Sequence, residues 1–209
     1  MANPDRPLRL GTRASPLALA QAHMVRDALI VAHGWSDEAV EIMPAVATGD
    51  RIQDRALAEV GGKALWTKEL DAALLSGDID FAVHSMKDVE TERSSKLAIA
   101  AMLPRADVRD RLVGAASFDA LPHGAAFGTS APRRRAQVLR LRPDLRVILL
   151  RGNVQTRLSK LAGGEVDATL LASAGLERLG MHETGTCLPT HLLLPAPAQG
   201  AVGIETLSD

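Results

Sequence analysis

Two short patterns occur twice in this chain, and in the same order. Gly11-Thr12-Arg13-Ala14-Ser15-Pro16 is echoed by Gly128-Thr129-Ser130-Ala131-Pro132. Gly77-Asp78-Ile79-Asp80-Phe81-Ala82-Val83 is echoed by Gly164-Glu165-Val166-Asp167-Ala168-Thr169-Leu170. The first pattern follows a short apolar strand and opens a helix. The second is a helix-stopping glycine followed by a strand. Either alone is common, but both together constrain the fold to two similar lobes in which strands alternate with helices, an α/β architecture with mostly parallel sheets.

The first lobe reads as a strand at 8–12 and a helix from Pro16 to near Gly34, with Ser15 as its N-cap and Pro16 at its first position. A strand at 40–46 follows, then a stretch at 47–63 with a Gly61-Gly62 pair, expected as a mobile loop. A helix at 64–76 places Trp66, Leu70, Ala73 and Leu74 on one face. Ile79, Phe81 and Val83 then alternate as a strand that runs into His84-Ser85-Met86-Lys87-Asp88. The second lobe reads as a strand at 125–128, a helix opened by Pro132 and capped by Thr129-Ser130, a strand at 147–150, a helix at 154–162 and a strand at 166–171. The chain passes between lobes near Leu103-Pro104 and again near Leu194-Pro195-Ala196-Pro197. Domain 1 is therefore expected at 1–103 plus 198–209 and domain 2 at 104–197. Two crossings make a hinge with a cleft between the lobes, the plan of type II periplasmic binding proteins.

Composition narrows the function. The formal net charge is −1, so the whole chain is no magnet for DNA or an anionic membrane. Aromatics are 2%, with no Tyr, too few rings for a single-stranded nucleic-acid platform. One cysteine, Cys187, permits no internal disulfide and suits a cytoplasmic setting; it has no neighbours at metal-ligand spacing, so no metal site is expected. No apolar N-terminal stretch of signal-peptide type and no run long enough to cross a bilayer is present. Basic residues are mostly arginine, 19 against 5 lysines. The arginine fork fits carboxylate or phosphate two bonds at a time.

In open parallel sheets, ligands bind beyond the carboxyl ends of the strands, at helix N-termini. Arg13 and Ser15, Lys87 and Asp88, Thr129, Ser130 and Arg133 to Arg135, Arg151 and Arg157, and Arg178 all follow strands. Three cations in the first turn of a helix oppose its dipole and call for a compensating anion, which a bound polycarboxylate would supply. Asp88 closes its strand as the only acid of that segment. It reads either as a surface ion pair with Lys87 or as a carboxylate kept ionised by cations, able to stabilise a cationic intermediate or relay a proton. His84 reads as a structural hydrogen-bonder.

These segments, with Val60-Gly61-Gly62-Lys63, Val83-His84-Ser85-Met86-Lys87-Asp88-Val89, Leu150-Arg151-Gly152-Asn153-Val154-Gln155-Thr156-Arg157-Leu158, Ala174-Gly175-Leu176-Glu177-Arg178-Leu179 and Gln199-Gly200-Ala201-Val202-Gly203-Ile204-Glu205, resemble the porphobilinogen deaminase (hydroxymethylbilane synthase) family in family order over nearly the whole chain. The resemblance implies a transferase that condenses four porphobilinogen molecules head to tail into hydroxymethylbilane, releasing ammonia each time. It implies a dipyrromethane cofactor as primer and a cytoplasmic monomer without nucleic-acid or membrane partners. Asp88 is then the catalytic carboxylate near the pyrrole nitrogens, assisting loss of the amine and stabilising the azafulvene cation. Arg13, Ser15, Lys63, Arg151, Arg157, Arg178, Gln199 and Gly200 are implied on the substrate side. Ser85, Lys87, Asp88, Thr129, Ser130, Arg133 and Arg134 are implied around the cofactor.

The chain departs from the family in places. Trp66 stands where Phe is usual. Ala131-Pro132 replaces Ser-Leu before the paired arginines, with loss of one hydroxyl. Val89-Glu90-Thr91-Glu92 lacks the proline usual after Lys-Asp-Val. The sequence ends just after Gly203-Ile204-Glu205, before the family's third domain, whose cysteine carries the cofactor. Little activity is therefore expected of the 209 residues alone, and a catalytically silent anion-binding module is the alternative.

Overall fold

Strands Leu8–Arg13 (β1) and Val40–Ala45 (β2) lie side by side in parallel, which requires the crossover between them that helix Pro16–His33 (α1) supplies. The computed structural model describes residues 3–45 and 67–208. Among these the chain divides into two units, one of residues 3–45, 67–105 and 201–208, the other of residues 106–200. The expected loop at 47–63, with Lys63, and the expected helix start with Trp66 lie outside the described residues.

Helix α1 begins and ends where its residues require. Ser15 Oγ accepts from Ala18 N at 3.3 Å, and Gly34 closes the helix in the left-handed conformation at φ 65°. Helix Lys68–Ser76 (α2) leads into Phe81–Ser85 (β3), which pairs in parallel with β1. Leu97–Met102 (β4) and Val202–Leu207 (β10) complete a five-stranded sheet in the order β2-β1-β3-β10-β4, with β10 antiparallel to both neighbours.

The second unit repeats the plan. Asp110–Val113 (β5), Ala126–Gly128 (β6), Arg146–Ile148 (β7), Ala168–Ala172 (β8) and Thr186–Cys187 (β9) form a sheet in the order β7-β6-β8-β5-β9. Here β5 is the reversed strand. Helices Pro132–Leu141 (α3), Val154–Ala162 (α4) and Ser173–Arg178 (α5) follow β6, β7 and β8. In each unit the reversed strand is the one entered immediately after the chain crosses over, β5 on the way out and β10 on the way back.

Both sheets are covered on both faces, which explains their composition. In the first, Leu10, Phe81, Val83 and Val202 pack on Ala22 and Val25 of α1, while Ala82 and Leu97 pack on Leu70 and Leu74 of α2. In the second, Phe127, Leu170 and Leu112 share a core with Val138 of α3, and Val113, Leu171 and Leu176 share another with α4. The expected alternation in β3 is not observed: Phe81, Ala82, Val83 and His84 are all buried, because β3 sits between β1 and β10 with a helix on either side.

Candidate functional site

In the first unit the carboxyl ends of β1 and β3 lie side by side, so parallel pairing places the Arg13–Ser15 turn and the Ser85–Asp88 segment on one edge of the sheet. Ser85 ends β3 and exchanges hydrogen bonds with the buried Gln21 of α1, its Oγ lying 2.8 Å from Nε2 and 3.0 Å from Oε1. A single 3-10 turn, Met86–Asp88, then carries Lys87 and Asp88 off the strand, its start pinned by Met86 N donating to Ala201 O at 3.1 Å.

Asp88 is half-buried, and among the described residues its side chain makes no hydrogen bond or ion pair. The simple alternative of an ion pair with Lys87 is not what forms. Three other acids of the same unit are committed. Asp80 holds Arg6 and Arg9, and Asp71 and Glu205 hold Arg93. The Arg6 guanidinium, against the drag of partial burial, keeps Asp80 below the usual carboxylate range. Arg13 is half-buried on the β1 edge, and Ser15 spends its hydroxyl oxygen on capping α1.

In the second unit the arginines fall at three adjacent strand ends. After β6, the main chain of Thr129 donates to Ile148 O at 2.9 Å, and Thr129 Oγ1 accepts from Ala131 N at 3.2 Å. Neither Thr129 nor Ser130 caps α3 as expected. The N-cap is Ala131, which has no side-chain oxygen to offer, and helix geometry begins only at Pro132. After β7, the buried Arg151 precedes Gly152, whose φ of 113° and 2.6 Å approach to Thr156 leave no room for a Cβ. Asn153 then caps α4 by accepting from Thr156 N at 2.9 Å, and Arg157 Nε donates to Gly152 O at 2.9 Å. After β8, α5 ends on Arg178, whose Nη2 donates to Gly200 O at 2.7 Å while its Nε is buried without a hydrogen-bond partner. Burial pulls this guanidinium below its usual value, with Glu177 opposing.

The three arginines opening α3 were expected to need a bound anion, and here the structure corrects the sequence argument. The anion is inside the fold. Asp110, the first residue of β5 and 0% exposed, accepts from Arg134 Nη2 at 2.7 Å, Arg134 Nε at 3.3 Å, Arg133 Nη2 at 2.9 Å and Gln199 Nε2 at 3.0 Å. Burial would raise its carboxyl, but Arg134 and Arg133 outweigh burial and hold it below the usual range. Arg134 spends its remaining donor on Leu170 O at 2.8 Å, and Arg133 also reaches Leu194 O. Arg135, by contrast, is exposed with no partner among the described residues.

Gln199 donates to Val108 O at 2.7 Å, so this predicted substrate residue ties the return segment to β5. Gly200, at φ 87°, lies so close to Ala106 that a Cβ would sit 2.5 Å from its carbonyl oxygen. His84 is the structural hydrogen-bonder expected, with Nε2 2.9 Å from Glu205 Oε2. Gln21, Arg93 and Asp110 were not singled out in the sequence, and Glu205 entered only as the end of the Gln199–Glu205 match. Only Asp110 offered a clue: a lone acid opening a strand whose partners are spelled out as a run of arginines. Cys187 is half-buried and free, on edge strand β9.

Among the described residues, no helix is long and apolar enough to cross a membrane. The family model described as "Porphobilinogen deaminase, dipyromethane cofactor binding domain" matches residues 8–209. A porphobilinogen deaminase of Sphingopyxis alaskensis is 67% identical over 214 aligned residues, covering 100% of this chain and 68% of that protein. One from Paracoccus denitrificans is 51% identical over 212, with the same coverage. Among solved structures, an ancestral cationic amino acid solute-binding protein aligns at TM-score 0.57 and 16% identity, covering 97% of this chain and 82% of that one. The fold is accordingly that of type II periplasmic binding proteins.

Proposed function

The chain belongs to the porphobilinogen deaminase family, and from that premise we propose that Asp88 is its catalytic carboxylate and that the arginines at the strand ends of its second unit hold the carboxylates of its substrate. The activity is that of a tetrapyrrole-biosynthesis transferase, the condensation of four porphobilinogen molecules into hydroxymethylbilane with release of ammonia, primed by dipyrromethane. The observation that carries the reading is the uncommitted state of Asp88. It is the acid at the carboxyl end of β3, and it forms no bond among the described residues, whereas Asp80, Asp71 and Glu205 of the same unit are spent on arginines.

A carboxylate left without a partner retains both oxygens for a ligand. In contact with a pyrrole N–H it would accept that hydrogen bond and stabilise the positive charge that develops on the ring as the amine leaves. It would also be placed to take the proton that the ring carbon surrenders on rearomatisation, general acid–base work worth about 10²–10⁴-fold.

The dipyrromethane primer is itself a polycarboxylate, and the donor set fits it. Ser130 keeps a hydroxyl without a partner among the described residues, and Arg133 presents a half-buried guanidinium beside it. When bound, the primer would supply the pyrrole end to which the first porphobilinogen is joined. Ser85, Lys87, Thr129, Ser130, Arg133 and Arg134 are the residues proposed to hold it. Arg134 does so from behind, since its three nitrogens are given to Asp110 and Leu170. Arg13, Ser15, Lys63, Arg151, Arg157, Arg178, Gln199 and Gly200 are proposed on the substrate side. The single cysteine supports a reducing, cytoplasmic setting, in which we take the protein to act as a monomer.

The test is turnover of porphobilinogen, followed by ammonia release and product absorbance, in the parent and in Asp88→Asn. Loss of turnover with porphobilinogen binding retained is the expected result. Saturable binding without turnover, equal in both proteins, would leave a silent binding module instead.

A further inference from the structure

Asp88 sits beyond the reach of the sheet that carries it. The pairing of β3 with β10 ends at Ser85 opposite Val202, and the turn that follows lifts Asp88 off the ladder. A residue that must meet a reacting ring needs more than that, since misplacement by an ångström is costly in rate.

A further restraint comes from one buried acid. Glu205, on β10 and 0% exposed, accepts from His84 Nε2 at 2.9 Å and from Arg93 Nη2 at 2.7 Å on the same oxygen, Oε2, while Oε1 accepts from Arg93 Nε at 2.9 Å. His84 precedes Asp88 in the chain and Arg93 follows it. One carboxylate therefore grips both ends of the segment that carries Asp88.

Arg93 is turned inward among exposed neighbours. Thr91, Glu92, Ser94, Ser95 and Lys96 around it are exposed, whereas its own side chain is only 12% exposed. The rest of its fork goes to Asp71 of α2, Nη2 at 2.6 Å and Nη1 at 3.1 Å, with Nη1 also 3.3 Å from Thr67 Oγ1 and 3.5 Å from Glu90 Oε2. Burial alone would lower its affinity for the proton, but Asp71 and Glu205 more than reverse this. A surface pair of this kind would be worth little, but a planar fork held on both sides by carboxylates is geometrically specific.

We propose that Arg93 is a positioning residue for the reaction, clasping the Asp88 segment to the sheet through Glu205. The proposal rests on the assignment of Asp88 as the catalytic carboxylate. The substitution Arg93→Met keeps much of the stem but removes the fork, and Arg93→Lys returns the charge without the fork. In the holoenzyme, Arg93→Met should lower kcat about tenfold or more while KM stays within about twofold, the pattern of a lost transition-state interaction. Amide hydrogen exchange over residues 86–92 should speed up without matching change in β1 or α1, and Arg93→Lys should recover part of both effects.

The proposal is overturned if kcat is unchanged in Arg93→Met, or if kcat falls while exchange over 86–92 stays as in the parent. Should Arg93→Met fail to fold, Asp71→Asn releases one side of the fork and must move both readouts in the same direction; no movement in either overturns the clasp. Exchange reports on the clasp even in an inactive enzyme. An Asp88→Asn protein that still turns over, with exchange responding to Arg93→Met as expected, would locate the failure in the assignment of Asp88.

Discussion

Arg134 grips both oxygens of Asp110, Nη2 to Oδ1 at 2.7 Å and Nε to Oδ2 at 3.3 Å, and both side chains are buried. A helix that opens on three arginines is thus compensated from within by the strand entered when the chain first crosses over. The substitution Asp110→Asn keeps the shape but leaves two guanidinium groups facing an amide. Removing one partner of a buried pair costs about 3–5 kcal/mol, so urea unfolding at neutral pH should show a loss of that size. Asp27→Asn, at an exposed pair with Arg26, should change little.

The same carboxylate sets an acid limit on stability. Asp110 is held below its ordinary range by Arg134 and Arg133, and Glu205 by His84 and Arg93, in each case against burial. A group whose folded pKa is depressed contributes stability above its unfolded value, about 3.9 for Asp and 4.3 for Glu, and loses it as pH falls through the folded one. Urea midpoints should therefore be flat from about pH 7 to 5 and fall below about pH 4. Asp110→Asn should show a shallower fall. A curve parallel to the parent's would mean that Asp110 is not among the groups responsible.

Ala131 leaves the first turn of α3 without a side-chain acceptor. Its φ of −93° and ψ of 116° are already those of an N-cap, so Ala131→Ser should add the missing bond to an amide of Arg133 or Arg134. The expected gain is about 1 kcal/mol, or roughly 2–4 °C in Tm for a chain of this size. An unchanged Tm would mean that Arg133 and Arg134, anchored by Asp110, already fix the helix start.

The parallel half of each sheet was legible because its strands are joined by helices with plain caps: Ser15 and Gly34 around α1, and glycine after α2. The reversed strands were not. Asp110–Val113 begins with two charges, and Leu97–Met102 has no polar residue with which to alternate, so neither shows a period of two. The site divides in the same way. Asp88, Arg151 and Arg178 follow strands and could be found from that alone. Asp110, Arg93 and Glu205 act across distances of 22 to 121 residues, and nothing local to them announces a partner.

Arg178 offers the sharpest separation of binding from stability. Its Nε is buried without a partner in the absence of ligand, a state that ordinarily costs about 1–3 kcal/mol. Arg178→Met removes that penalty and also the bond to Gly200 O, so the two effects oppose each other and net stability should shift by no more than about 1 kcal/mol. A bound carboxylate has no such offset. It loses charge-assisted bonds worth about 1.5–3 kcal/mol, which raises KM for porphobilinogen roughly ten- to a hundredfold. Lysine at this position restores a charge but not the fork, and should recover only part. If Arg178→Met instead collapsed the fold and left KM of the surviving protein unchanged, the buried Nε would belong to packing, and the substrate carboxylates would have to be sought at Arg151 and Arg157.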